Sequence, residues 1–263
     1  MSSGFVSIPF DGRQVDIEYS WIAGGPVDGP TMVFLHEGLG SVSMWRDFPR
    51  QLCERLGVRG LVYSRPGYGR STPRPGHERW LPDFMHRQAD EVLPALLKAL
   101  GIARPWLFGH SDGGSIALLH AAGHECAGVI VLAPHILVEG ISVTSIAAAR
   151  EAYLRTDLRE RLARHHADPD SAFWGWNDIW LDPAFRAWDI REDIRAITCP
   201  VLAVQGLDDE YGTLEQIRGI ARELPRTRLL ELANCRHSPH KDQPQALLEA
   251  CDMFYRQHQH DPA

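Results

Sequence analysis

The hexapeptide Gly109-His110-Ser111-Asp112-Gly113-Gly114 has the residue types and spacing of a serine nucleophile. It follows the apolar run Trp106-Leu107-Phe108 and opens the helical run Ile116 to Ala122, so the serine is expected on a strand-to-helix turn. A turn tight enough to lift the hydroxyl into the open leaves no room for side chains two residues before and after it. Glycines stand at both places, Gly109 and Gly113. The helix N-terminus behind the serine favours negative charge as it develops. The plain alternative is an ordinary turn with the serine as a helix cap.

A hydroxyl needs a base, and the base needs an orienting carboxylate. On this architecture the chain order is serine, acid, histidine. The apolar run Val201-Leu202-Ala203-Val204 leads into Gln205-Gly206-Leu207-Asp208-Asp209. Asp209, three past the glycine, is the expected acid, with Asp208 in reserve. A further strand, Arg228 to Leu232, is followed by the loop Ala233 to His240. His237 is the expected base because it follows the strand end closely. His240 competes with it but reads as a helix-entry or surface residue. Acyl transfer also needs amides aimed at the developing oxyanion. One should be that of Asp112. The other should come from His36-Glu37-Gly38-Leu39-Gly40, with Gly38 expected and Leu39 as the alternative.

These residues require a scaffold that delivers strand ends to one place. Asp11-Gly12 separates two alternating segments and predicts a hairpin ending near Ile22. Short apolar runs without alternation begin at Thr31, Gly60, Trp106, Gly128 and Val201. Such runs predict strands covered on both faces, as in a parallel sheet. Helical patterns fall between them, at about Met44–Leu56, Asp83–Leu100, Asp112–Ala122, Leu214–Leu224 and Gln243–Tyr255. The alternation predicts an α/β sandwich. Between His135 and Arg195 the pattern is helical without a strand, and this stretch holds four of the chain's eight tryptophans, Trp174, Trp176, Trp180 and Trp188. The expected organisation is a core over 1–134, a helical cap or lid over 135–195, and the rest of the core over 196–263.

With these motifs the chain resembles the α/β-hydrolase superfamily over nearly its whole length. The His36-to-Gly40 turn, Gly109 to Gly114, the Gly206-to-Asp209 strand end and the His237 loop carry the likeness. The segment Ser64-Arg65-Pro66-Gly67-Tyr68-Gly69-Arg70-Ser71 is also similar to a loop of these enzymes. The resemblance implies an eight-stranded, mostly parallel sheet flanked by helices, with an inserted helical lid. It maps the triad onto Ser111, Asp209 and His237. Two departures stand out. Glu37 replaces the usual glycine after His36, and Ser64 replaces an aspartate common before the Gly67 loop. A carboxylate pointing into an anion hole would oppose catalysis, so Glu37 is expected to turn outward, to be paired, or to meet a cationic substrate group.

Composition narrows the field further. With 27 basic and 34 acidic residues the net charge is -7, so no basic field exists for nucleic acid or an anionic membrane. No apolar run approaches the ~20 residues of a membrane span. The residues from Met1 to Arg13 lack the features of a secretory signal, and five scattered cysteines without a C-x-x-C pair suit a reducing cytoplasm. No H-E-x-x-H, G-x-G-x-x-G or phosphate-loop pattern occurs, so neither metal nor cofactor is expected. His165-His166 and His258-Gln259-His260 read as solvated or terminal pairs.

The expected activity is hydrolysis of a small hydrophobic or aromatic carboxylic ester or thioester through an acyl-enzyme. The same triad would also serve C–C bond hydrolysis of a ring-fission product, and the scaffold would serve a non-catalytic ligand receptor. Candidate substrate-binding residues are Glu37, Trp45, His110, Trp174, Trp176, Trp180 and Tyr211. One of the arginines of the 135–195 stretch is a candidate for holding a substrate carboxylate. The expected partner is a small-molecule substrate, with no nucleic acid and no membrane; a homodimer is left open.

Overall fold

The computed structural model describes residues 2–76 and 78–259; His260, named above, lies outside them. Eight strands form one sheet: β1 (Ser3–Phe10), β2 (Arg13–Ile22), β3 (Thr31–Leu35), β4 (Arg59–Tyr63), β5 (Trp106–His110), β6 (Gly128–Leu132), β7 (Val201–Gly206) and β8 (Arg228–Leu232). Their spatial order is β1-β2-β4-β3-β5-β6-β7-β8. The first two pair as the expected hairpin, β2 runs antiparallel to β4, and every later pairing is parallel. This is the α/β-hydrolase fold.

Each central strand is buried on both faces, and alternation divides its side chains between two cores. Val33, Leu35, Leu107, Val129, Val131 and Ala203 point into one. Met32, Phe34, Phe108, Ile130, Leu202 and Val204 point into the other. The helix over Asp112–Gly123 is buried almost all round, as expected for a helix enclosed between the sheet and its neighbours.

Two predicted helices are interrupted, each for a local reason. The pattern at Met44–Leu56 resolves into a 3₁₀ turn, Val42–Trp45, and a helix, Phe48–Leu56. Between them Arg46 takes φ 53°, and Pro49 fits the first turn of the new helix. The pattern at Asp83–Leu100 contains a π-helical stretch over Gln88–Val92. Pro94 has no amide to give the Asp90 carbonyl and its ring would strike it, so the helix widens there.

After β6 the chain leaves the sheet. Helices span Gly140–Arg155, Leu158–Leu162 and Pro169–Leu181, and two 3₁₀ turns follow before β7. A single bridge, Leu137 to Asp189, ties the two ends of this stretch. No helix among the described residues is long and apolar enough to cross a membrane.

The topology dictates where chemistry can occur. From β3 the chain passes to β4 on one side, then crosses to β5 on the other. The loops leaving β3 and β5 therefore diverge and leave a crevice at the carboxyl edge of the sheet, the usual ligand site of open α/β sheets. All the predicted chemical groups follow strands that end at this edge.

Candidate active site

Ser111 follows β5 directly, at φ 53° and ψ -122°. A non-glycine residue held there stores on the order of 1–3 kcal/mol of strain. Its surroundings hold it in place. The Ser111 amide donates to Leu132 O at 2.9 Å, and the amides of Gly114 and Ser115 donate to Ser111 O. The two flanking glycines are needed for space. A Cβ on Gly109 would strike the Gly113 carbonyl, and one on Gly113 would strike the carbonyls of Leu35 and His36.

His237 Nε2 stands 2.9 Å from Ser111 Oγ, and His237 Nδ1 lies 2.9 and 3.0 Å from the two carboxylate oxygens of Asp209. Asp209 also accepts from the Tyr211 amide at 2.8 Å and from Gln205 Nε2 at 3.0 Å. Burial alone would raise this carboxyl, but the hydrogen bond and charge of His237 hold it below its ordinary value. Asp208 is exposed and outside this chain of contacts. His240 is not a surface residue. It is buried among the rings of Trp45, Phe48 and His110, and burial lowers its pKa well below the usual imidazole value.

Around Ser111 lies a cavity of about 180 Å³. Gly38 and Asp112 line it, as do Glu37, His110, Trp176, Trp180 and Tyr211. Trp45 does not; it packs behind, against Phe34 and Phe108. Trp174 also stands outside it, under the Arg150 guanidinium. No arginine of the 135–195 stretch reaches the cavity. Arg159 pairs with Asp170, and Arg155 with Glu151. An aromatic residue's type says that it packs, not on which side. A larger cavity, about 830 Å³, opens at the opposite edge of the sheet, where β7 begins, and none of these residues lines it.

Glu37 is neither fully outward nor fully buried: 21 % of its side chain is exposed, at the cavity wall. Its Oε2 lies 3.7 Å from His110 Nδ1. Burial would raise this carboxyl, but His110 first, and then Lys241, hold it well below the usual range, so it is ionised. The other His110 nitrogen, Nε2, donates to the His237 carbonyl at 2.7 Å.

Three further residues at the site carried no local signal. His135, three past β6, is 2 % exposed, lines the cavity and packs edge-on against Trp180. Burial, then the nearby His237, pushes its pKa down to about 3, so it is neutral. His166 is not solvated. Its Nδ1 accepts from the Gly69 amide and its Nε2 donates to Leu39 O, joining the helical stretch to the loop after β3. Arg65 is 1 % exposed and donates to Glu37 O at 2.9 Å.

Burial pushes the Asp112 carboxyl up to about 6, against the opposing pull of Arg65 and Trp180. The folded protein therefore holds this proton more tightly than the unfolded chain, and the carboxyl costs stability as pH rises from about 4 through about 6. An amide does not titrate. The unfolding free energy of Asp112→Asn relative to wild type is expected to grow by about 2 kcal/mol between pH 4 and pH 7.5. Urea unfolding of both proteins at the two pH values measures it; a constant difference would contradict the raised pKa.

Comparison with known proteins agrees with the fold. The family model described as "Alpha/beta hydrolase family" matches residues 32–250. The bifunctional esterase/perhydrolase DCH of Acinetobacter calcoaceticus is 26 % identical over 236 residues, covering 76 % of this chain and 81 % of that protein. A non-heme chloroperoxidase of Streptomyces lividans is 28 % identical over 220 residues, 71 % of this chain and 76 % of that one. Among solved structures, a carboxylesterase of the thaumarchaeon Nitrososphaera gargenis superposes with TM-score 0.78 at 22 % identity, covering 98 % of this chain and 100 % of that one. The sheet order, the strained serine after β5 and the matched span together place this chain in the alpha/beta hydrolase family, as a hydrolase of the serine-nucleophile type.

Proposed function

We propose that this enzyme hydrolyses small carboxylic esters or thioesters through an acyl-enzyme on Ser111. The observation that carries the reading is the unbroken chain from Ser111 Oγ through His237 to Asp209, opening on a small cavity. Ser111 Oγ attacks the carbonyl carbon while His237 Nε2 takes its proton. Asp209 keeps the other ring proton on Nδ1 and stabilises the imidazolium. The Gly38 and Asp112 amides receive the oxyanion. His237 then returns the proton to the leaving group, and water, activated by the same imidazole, releases the acid.

The cavity indicates the size and charge of the substrate. Its volume is close to the ~150 Å³ that accommodates benzene, so one ring or a short chain fits. Trp176, Trp180, Ile146 and Leu39 supply apolar wall. Glu37 is ionised there and no arginine faces the space. Such a wall repels a substrate carboxylate and favours neutral or cationic groups, which disfavours acidic ring-fission products. Glu37, His110, Trp176, Trp180 and Tyr211 are the proposed substrate contacts, and the helical stretch over 135–195 is the proposed lid.

The test is a panel of p-nitrophenyl acetate, butyrate and decanoate, a short acyl thioester and a vinylogous diketone. Turnover is expected to be fastest on the short esters. Cleavage of the diketone alone would support carbon–carbon hydrolysis instead, and inertness to all of them a binding role. Trp176 stands against Gly38, where a Cβ would strike its indole. Trp176→Ala is expected to raise the decanoate-to-acetate ratio of kcat/KM about tenfold. An unchanged ratio with a lowered melting temperature would make Trp176 a packing residue only.

A further inference from the structure

We infer that Arg65 is a positioning residue that locks both halves of the oxyanion hole, an inference that rests on the acyl-transfer reading above. Arg65 leaves the end of β4 in the Ser64-to-Ser71 loop, for which the reaction as derived has no use. It is nevertheless an arginine only 1 % exposed. Burying a guanidinium is costly unless its partners are good, so those partners show what it is for.

One partner is the peptide between Glu37 and Gly38. Arg65 Nη2 donates to Glu37 O at 2.9 Å. His36 Nδ1 donates to the same oxygen at 2.7 Å, and the Gly40 amide at 3.0 Å. The tautomer of His36 is set by Arg65 as well, because the Arg65 amide donates to His36 Nε2 at 3.0 Å and leaves the ring proton on Nδ1. Burial, then the Arg65 charge, keeps this imidazole neutral. Three donors thus fix the direction of one carbonyl. In a trans, planar peptide the C=O and the following N–H point in opposite directions. Holding Glu37 O toward Arg65 therefore turns the Gly38 N–H away from it, and Gly38 lines the cavity around Ser111.

The other partner is the turn that carries the nucleophile. Arg65 Nη2 lies 3.9 Å from Asp112 Oδ2, while Trp180 Nε1 donates to Asp112 Oδ1 at 3.2 Å. Asp112 supplies the second oxyanion amide from its backbone, and its carboxyl faces the guanidinium as an ion pair without a hydrogen bond. One cation thereby couples the loop after β3 to the turn after β5, the two loops that diverge across the crevice. It acts beyond the β3–β5 pairing, which fixes the strand ends but not the direction of the Glu37–Gly38 peptide.

The test compares wild type, Arg65→Met and Arg65→Lys on p-nitrophenyl acetate, with phenylboronic acid as a probe that becomes tetrahedral on Ser111. For Arg65→Met, kcat is expected to fall about 10²-fold with KM within about threefold, and boronate affinity to fall in parallel. Arg65→Lys keeps the charge but not the fork, and its kcat and boronate affinity are expected to fall about tenfold together at a near-native melting temperature. If Arg65→Met does not fold, Arg65→Lys decides alone. A folded variant with wild-type kcat and boronate affinity overturns the inference, as does a loss expressed only in KM or only in melting temperature. A wild type inert to every ester would instead overturn the acyl-transfer reading itself.

Discussion

Replacing Ser111 by alanine is expected to lower turnover of p-nitrophenyl acetate by about 10⁴–10⁶-fold. The loss is large because the hydroxyl hydrogen-bonded to His237 Nε2 is that of Ser111. Ser115, the next serine, is fully buried, and its hydroxyl donates to the His135 carbonyl on the far side of the turn. Cys235 lies near the base but is buried, and its thiol is pushed up to about 12, first by burial and then by surrounding carboxylates. It is therefore a poor nucleophile. The alanine variant should fold, since the strained φ of 53° is held by backbone bonds that involve no side-chain atom. Because serine and base act as one unit, Ser111→Ala with His237→Ala should cost little more than either alone. The residual rate would then reflect the amides and the cavity. A Ser111→Ala protein that retains more than about a hundredth of the activity, with the same melting temperature, would move the nucleophile elsewhere.

How much of this was legible from the residues depends on how local each constraint is. Gly109 and Gly113 are required by clashes within a few residues of Ser111, so the turn is written in consecutive letters. The strands are apolar on both faces, and that too shows in a short window. Asp209 and His237 were recoverable because each follows a strand end closely, and the sheet brings those ends together. The residues that were not found are those whose roles arise from long-range packing. His166 meets the Gly69 amide from 97 positions away and Leu39 O from 127. Arg65 reads as one arginine among many until it is seen to be buried. Trp45 and Trp174 were misplaced for the converse reason: a large aromatic ring predicts burial, but the choice between cavity wall and interior is made by the neighbours. Glu37 shows both limits. Its substitution for glycine was visible, while its pairing with His110 across the crevice was not.

The carboxylate supports the second large effect. Asp209→Asn is expected to reduce kcat/KM for p-nitrophenyl acetate by about 10⁴-fold near neutral pH, with little change in melting temperature. As a carboxylate, Asp209 only accepts, and three donors face it: His237 Nδ1, Gln205 Nε2 and the Tyr211 amide. An asparagine has one acceptor oxygen for the same set. The Tyr211 amide donates to Oδ1 and Gln205 Nε2 to Oδ2, so a single carboxamide oxygen can keep only one of them. The Tyr211 amide is fixed in the backbone, so the oxygen stays at the Oδ1 place and the NH₂ takes the Oδ2 place, 3.0 Å from His237 Nδ1. There the NH₂ donates to the ring nitrogen. That turns the imidazole to the tautomer with its proton on Nε2, 2.9 Å from Ser111 Oγ, where it can no longer take one. The geometry survives and the function does not, which separates this loss from unfolding. Asp208→Asn supplies the control, because Asp208 is exposed and outside this set of bonds; its rate should stay within about threefold of wild type. If the rate fell for Asp208→Asn and not for Asp209→Asn, the orienting carboxylate would have to be reassigned.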